Sequence, residues 1–263
     1  VANLYYRETP AGTAELEPSA IEPGALVEVA GEEARHAVRV SRLRQGERIL
    51  VGDGRGTVGS GTVEATARER FAVRIEKVRR EPAPEPRLVL VQALAKGDRD
   101  ERAVEQATEF GVDAIVPWRA ARSVSRWDDA EKAEKGRAKW ARIAREASKQ
   151  SLRPWVPEVR EPIDTEALCL LAAREEIAVL LLDPRGARTL SSWAADRAPQ
   201  PHLPGAVAEY CVVVGPEGGF AEEELSRLTE AGATPLVLGA TVLRTSSAGP
   251  AALAVLNVAL GRW

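Results

Sequence analysis

Two segments of the chain have the residue types and spacing to hold a ligand. In VVVGPEGGF (residues 212–220) an apolar run enters a glycine-rich turn and passes into a helical pattern. Such a junction aims backbone N–H groups beyond the carboxyl edge of a sheet, where nucleotides and related cofactors bind. The Lys-Ser/Thr ending of a phosphate-binding loop is absent, and Pro216 and Glu217 separate Gly215 from Gly218, so the dinucleotide fingerprint is absent too. Read alone, the turn is equally an ordinary strand-to-helix connection. The second segment, PLVLGATVLRTSSAGPAALAVLNVAL (residues 235–260), has the same plan of strand, polar loop and helix. Two such loops after adjacent parallel strands would line one crevice, rich in main-chain donors and acceptors and poor in charge, which suits a nucleoside. Arg244, Thr245 and Ser246 are open to a second reading as caps of the last helix.

Other chemistries find less support. His36 and His202 lie far apart, and no C-x-x-C or H-E-x-x-H spacing occurs, so no metal site is expected. Cys169 and Cys211 each sit in an apolar stretch, which favours buried thiols and a reducing cytoplasm over a disulfide framework. No apolar run reaches the roughly 18 residues of a membrane span, and VANLYYRETP lacks the layout of a secretory signal, so a soluble, cytoplasmic protein without a membrane partner is expected. A nicotinamide enzyme is a distant reading, because the glycine-rich turn falls late and no G-x-G-x-x-G follows the first strand of the second domain. The net charge of −3, from 36 basic and 39 acidic residues, excludes a uniformly basic nucleic-acid coat, so any RNA contact must use local patches. Basic residues cluster at 35–48 and 135–153, runs that fit a solvated face equally well.

The elements that must position these residues fall into two groups. Prolines at 82, 84 and 86 disfavour helix and central strand and mark a linker, which divides the chain into domains 1–80 and 81–263. Before it, short runs at 25–30, 48–54, 59–67 and 70–78, the last with partial period-two alternation, predict a small β-barrel or sandwich with one helix near 32–43. After it, runs at 88–94, 114–118, 178–182, 210–214 and 235–239 are apolar on both faces, which predicts a parallel sheet covered by helices on both sides. Residues 98–111 predict a helix with Ala103, Val104, Ala107 and Phe110 on one face, Asp98 or Asp100 as cap and Gly111 as stop. A second helix over 137–151 carries Trp140, Ile143, Ala144 and Ala147 as its stripe, with Lys139, Arg142, Arg145 and Lys149 largely off it. A third spans 221–231, with Glu222, Glu223 and Glu224 in its first turn and Gly232 beyond it. The last helix, 247–260, is apolar nearly all round and so is either deeply buried or packed on another subunit.

GPEGGF and LGATVLRTSSA, with KGDRDERAVEQATEFGV (96–112), AARSVSRW (120–127), KWARIAREASKQSLRPWVPEV (139–159) and RHAVRVSRLRQGERI (35–49), resemble the ribosomal RNA small-subunit methyltransferase E family in the right order over nearly the whole chain. The resemblance implies an α/β domain of the SPOUT class with a deep trefoil knot, an exception to the rule against knotted chains. It also implies a PUA-like β-barrel for RNA, a homodimer, and transfer of a methyl group from S-adenosyl-L-methionine to N3 of one uridine in 16S ribosomal RNA, free or in the small ribosomal subunit. By position, Leu182, Val214, Gly215, Glu217, Gly218, Leu238, Gly239, Leu243, Arg244, Thr245, Ser246 and Ala248 would surround the cofactor. One departure stands out: many members read L-R-x-E-T-A where this chain reads LRTSSA, so Ser246 occupies the acidic position and its role falls vacant or to Glu217.

A sulfonium methyl is already activated, so alignment and exclusion of water are the main catalytic demands. The uridine N3 proton must also leave, by transfer to a base or by stabilisation of the uracil anion. Arg122 and Arg244 are the candidates for stabilising the anion, with Glu217 as a base; a structural ion pair or a phosphate contact is the competing reading of each. The RNA candidates are His36, Arg39, Arg42 and Arg44, and Lys139, Arg142 and Lys149 of the basic helix. A ribose 2′-O-methyltransferase of the same class and a noncatalytic RNA-binding assembly factor are the alternative functions.

Overall fold

The computed structural model describes residues 3–7, 20–196 and 207–263, so His202 lies outside the described residues. The chain divides into two units, Val1–Ala83 with Ser148–Val156, and Pro84–Ala147 with Pro157–Trp263. A single cut at residue 81 does not provide for that return of Ser148–Val156 to the first unit.

The first unit contains β1 (Leu4–Tyr6), β2 (Leu26–Ala30), α1 (Gly31–Arg39), β3 (Arg48–Gly52), β4 (Thr57–Ala67) and β5 (Arg70–Arg80), with strand order β1-β3-β4-β5-β2. Phe71, Val73 and Ile75 of β5 face the core with Val27, Val29, Ile49, Val51 and Val63, while Arg70, Arg74 and Glu76 are exposed. This is the period-two logic of a half-buried strand. The β4–β5 register shifts between Ser60 and Gly61. A Cβ on Gly61 would lie 2.1 Å from the Arg74 carbonyl oxygen, so the bulge requires glycine there. Segment Ser148–Val156 is fastened within this unit: the Lys149 ammonium lies 3.0 Å from Glu33 Oε2, and Glu33 Oε1 accepts from the Tyr6 N–H at 3.2 Å. Lys149 is 8% exposed, which corrects its assignment as an RNA contact. Its charge is consumed by a buried carboxylate, and an ammonium so placed cannot reach a phosphate.

The second unit runs β6 (Arg87–Ala93), α2 (Arg99–Glu109), β7 (Ala114–Trp118), α3 (Ala130–Gln150, whose last turn clusters with the first unit), β8 (Glu158–Val159), α4 (Thr165–Ala172), β9 (Ile177–Leu182), α5 (Leu190–Ala195), β10 (Glu209–Val214), α6 (Glu222–Glu230), β11 (Thr234–Leu236) and α7 (Thr245–Ala259). The six strands form a parallel sheet of order β11-β9-β10-β6-β7-β8. Its central strands are buried on both faces, as their unbroken apolar runs require. Leu88, Leu90, Val212 and Val214 pack with Ala103, Val104, Trp140, Trp193, Leu253 and Leu256. Val89, Val91, Cys211 and Val213 pack with Leu168, Phe220 and Leu228. Burial pushes the Cys211 thiol up to about 12, so it is inert at neutral pH.

Gly111 (φ 83°) and Gly232 (φ 112°) end α2 and α6 in the left-handed conformation. The start of α2 differs from expectation. Asp98 makes no capping bond and its carboxylate meets Arg102 instead, while Asp100 accepts from the Ala95 N–H at 3.1 Å. The last helix begins at Thr245, earlier than residue 247, and keeps Ala248, Ala252, Leu253 and Leu256 buried while Val258 is exposed.

Candidate cofactor and active site

Strand order brings the carboxyl ends of β11, β9 and β10 side by side, so three connections meet at one edge. The first, after β9, is laced to the segment after β11. Asp183 N–H donates to Leu236 O at 3.0 Å, Val237 N–H to Arg188 O at 2.9 Å, and Leu190 N–H to Val237 O at 2.9 Å. Gly186 permits this approach, since a Cβ there would lie 2.7 Å from the Leu236 carbonyl carbon. Asp183 accepts from the N–H and guanidinium of Arg185, and those hydrogen bonds hold its carboxyl below the ordinary range against the opposing effect of burial.

The glycine-rich turn after β10 is closed by Gly219 N–H donating to Pro216 O at 2.8 Å, with Gly219 at φ 65°. The third connection enters α7 through Thr245, whose hydroxyl donates to Gly215 O at 2.9 Å and accepts from Gln92 Nε2 at 3.0 Å. Thr245 thereby ties the start of α7 to the turn after β10 and to β6. It is not a helix cap, and Arg244 at the capping position makes no side-chain capping bond.

These connections enclose a cavity of about 660 Å³. Leu182, Val214, Gly215, Glu217, Gly218, Leu238, Gly239, Leu243, Arg244, Thr245 and Ala248 all line it. Ser246 is not among its lining residues: on a helix that begins at Thr245, positions 245 and 248 share a face and 246 is rotated off it. The residue at the family's acidic position therefore does not face the cavity, a correction to its assignment.

The proposed catalytic groups separate. Arg244 and Glu217 line the cavity, whereas Arg122 does not and donates from Nη1 to Gly218 O at 2.9 Å. It reaches the turn because Glu224 Oε1 accepts from the neighbouring Ala121 N–H at 3.0 Å. Arg122 thus braces the glycine-rich turn. Glu217 Oε1 accepts from Arg99 Nη1 at 2.5 Å and from Lys96 N–H at 3.2 Å. Burial works to raise this carboxyl, but hydrogen bonds from its own backbone N–H, Arg99 and Lys96 outweigh it and hold the group below the ordinary carboxylate range. A depressed carboxyl is a weak proton acceptor, which argues against Glu217 as the base. Among the described residues, no cluster of His, Cys, Asp and Glu is arranged to hold a metal, and no helix is long and apolar enough to cross a membrane.

The chain matches the model of an RNA methyltransferase domain over residues 82–257 and that of an RNA methyltransferase PUA domain over residues 29–76. It is 38% identical to ribosomal RNA small subunit methyltransferase E of Mycobacterium bovis, across 100% of this chain and 94% of that protein. The chain belongs to the ribosomal RNA small subunit methyltransferase E family. The Bacillus subtilis family member is 30% identical across 92% of this chain and 94% of its own. The crystal structure of the Neisseria gonorrhoeae member bound to S-adenosyl methionine superimposes with a TM-score of 0.77, at 26% identity and 98% coverage of both chains.

In this methyltransferase E chain the PUA match takes in α1 and the loop that follows it, where His36, Arg39, Arg42 and Arg44 are all exposed. Arg42 holds φ at 54°, a left-handed conformation uncommon outside glycine. On α3, Arg142 is exposed, and Lys139 is exposed but paired with Glu101 at 2.5 Å. Gln92, Arg99 and Asp183 were not singled out by sequence reasoning. Each acts at the cavity through a strand order or loop pairing that single-sequence periodicity does not encode.

Proposed function

We propose that this chain transfers the methyl group of S-adenosyl-L-methionine to N3 of a uridine in 16S ribosomal RNA, presented free or in the small ribosomal subunit. The observation that carries the reading is the meeting of three connections around one cavity, with Thr245 joining two of them. Its volume of about 660 Å³ suits a small-molecule site, typically about 300–1,000 Å³. Its lining combines glycines, apolar side chains and main-chain polar groups with the charged side chains of Arg99, Asp183, Glu217 and Arg244, and the S-adenosyl methionine bound in the Neisseria relative supports an adenosyl ligand. The uridine N3 specificity rests on family membership.

When bound, S-adenosyl-L-methionine supplies a methyl carbon already activated by its sulfonium. Residues 215–220 and 238–245 would hold the adenosyl group by main-chain contacts and exclude water from it. Arg244, exposed in the third connection, would stabilise negative charge on the uracil as the N3 proton passes to solvent water. Glu217 stays ionised and holds Arg99 at the cavity wall. Arg122 braces the carbonyl of Gly218.

The PUA-like unit would carry RNA through Arg39, Arg42, Arg44 and His36, and in the second unit the exposed Lys139 and Arg142 of α3 would make phosphate contacts of their own. The pairing of Thr189 with Val237 and the strand order β11-β9-β10 support the threaded trefoil topology. A homodimer rests on the family resemblance, and sedimentation would test it. A cytoplasmic site of action follows from the substrate.

The test is incubation with unmodified small subunits or 16S RNA and methyl-labelled cofactor, followed by digestion to nucleosides. Label in 3-methyluridine is expected. Label in a 2′-O-methyl nucleoside, or none at all, overturns the reading.

A further inference from the structure

Gln92 is the penultimate residue of β6, between Val214 of β10 and Pro117 of β7, and is fully buried. Its Nε2 donates to Ala93 O at 3.1 Å and to Thr245 Oγ1 at 3.0 Å. A backbone carbonyl only accepts, so the amide end facing Ala93 must be the NH2, and no flip is open to it. The Thr245 oxygen therefore accepts a hydrogen bond from Gln92, and its own O–H must point elsewhere. Gly215 O, 2.9 Å away, is where it points.

That carbonyl is a sensitive point. Residue 216 is proline, so the Gly215–Pro216 peptide has no N–H, and its oxygen is the one handle by which hydrogen bonding can set the peptide plane. Gly215 itself has no side chain to restrict the turn. The price of the arrangement is visible in Gln92 Oε1, which is buried with no partner among the described residues. An apolar side chain of similar size would fill the same volume without an orphaned acceptor, so packing alone does not account for an amide here.

The geometry points to Gln92 as a positioning residue for methyl transfer: it locks the Thr245 hydroxyl as a donor to Gly215 O and so pre-sets the glycine-rich turn for the cofactor. The inference rests on the reading of the cavity as the S-adenosyl-L-methionine site. Gln92 is not a lining residue and acts only through Thr245.

The test is calorimetric titration of the full chain with S-adenosyl-L-methionine, with thermal melts in its absence and presence and steady-state kinetics on small subunits. Wild type, Gln92→Leu, Thr245→Val, the double variant and Thr245→Ser are compared. Gln92→Leu is expected to weaken cofactor binding by about three- to tenfold, the effect of one neutral hydrogen bond. KM for the cofactor should rise while kcat at saturation changes little. Without cofactor its melting temperature should be unchanged or higher, while the cofactor-induced rise shrinks. The double variant should bind no worse than Thr245→Val, since the amide acts through the hydroxyl, and Thr245→Ser should keep affinity. If Gln92→Leu does not fold, Gln92→Met, unbranched and similar in volume, carries the same expectation. A folded Gln92 variant that binds cofactor as wild type does, or that only loses apo stability, overturns the inference and leaves the cofactor site standing. A wild-type chain without affinity for the cofactor overturns the cofactor reading itself, and this inference with it.

Discussion

Arg99 Nη1 stands 2.5 Å from Glu217 Oε1 in the wall of the cavity, and the Lys96 N–H donates to the same oxygen at 3.2 Å. Glu217 leaves the turn after β10, while Arg99 opens α2 after β6, so the pair spans two neighbouring strands of the sheet. Its consequence is chemical. The one carboxylate that sequence reasoning nominated as a base is already engaged as an acceptor, with its carboxyl held low.

Arg99→Leu should therefore raise the Glu217 carboxyl, because the opposing effect of burial remains. The folded carboxyl lies below its unfolded value. The stability it contributes is thus present above the ordinary carboxylate value of about 4.3 and is lost as pH falls through the depressed one. A carboxyl-carbon NMR titration of both proteins checks the shift, and coincident curves would remove Arg99 as its cause. Glu217→Gln should lower turnover modestly and leave the neutral-pH rate profile in place. A large fall in turnover together with loss of the acid limb of that profile would restore Glu217 as a base.

Arg244→Ala separates binding from chemistry. Arg244 lines the cavity from the third connection, and the adenosyl group is to be held mainly by main-chain contacts. Turnover should fall by about a hundredfold, as on loss of one stabiliser of developing charge, while cofactor affinity changes by less than about fivefold. Wild-type kcat in this variant would end its catalytic role. Arg122→Ala should instead raise KM for the cofactor, because Arg122 meets the carbonyl of Gly218 and not the cavity.

Gly186→Ala tests the lacing of the first and third connections. The added methyl would sit 2.7 Å from the Leu236 carbonyl carbon and 2.9 Å from the Val237 nitrogen, both backbone atoms that cannot step aside as a side chain can. The expected cost is about 1–3 kcal/mol, or a fall of about 2–12 °C in melting temperature for a chain of this size, with weaker cofactor binding. An unchanged melting curve would mean that the connections part without cost.

Most of this fold was legible because burial on both faces writes itself as unbroken apolar runs. Residues 114–118 are β7 as read, and the glycines at 111 and 232 stop their helices as read. The short pieces were not: β1, β8, α4 and α5 went unread, and β11 ends at Leu236 where a strand to residue 239 was expected. Three or two strand residues carry too little period to register, and β1 owes its place to parallel pairing with β3. At the site, the cavity-lining loops could be read from glycines and strand ends. Gln92 and Arg99 could not, since each matters only once β6 is known to lie against β10. Lys149 was misread for a related reason. Helical spacing puts it off the apolar stripe of Trp140 and Ala144, but its partner Glu33 lies in α1, 116 residues away in sequence.

That last misreading separates two kinds of basic residue in the first unit. Glu33 binds both the Lys149 ammonium and the Tyr6 N–H in a buried setting, so Glu33→Ala leaves a buried cation without its carboxylate. Loss of one partner of a buried pair costs about 3–5 kcal/mol, and the first unit should melt well below its normal temperature. Below that transition, RNA affinity and its salt dependence should stay as in wild type. Arg42→Gly should do the reverse. Glycine adopts the left-handed backbone that Arg42 holds at φ 54°, so folding loses little, yet one exposed cation disappears. RNA affinity should fall, and the slope of log affinity against log salt should drop by about 0.7–0.9 for one lost phosphate contact. Filter binding at several salt concentrations, alongside melting curves, measures both. If Arg42→Gly binds RNA with an unchanged slope while Glu33→Ala loses RNA binding at temperatures where it is folded, the phosphate contacts lie at the buried pair's end of the unit and the division drawn here is wrong.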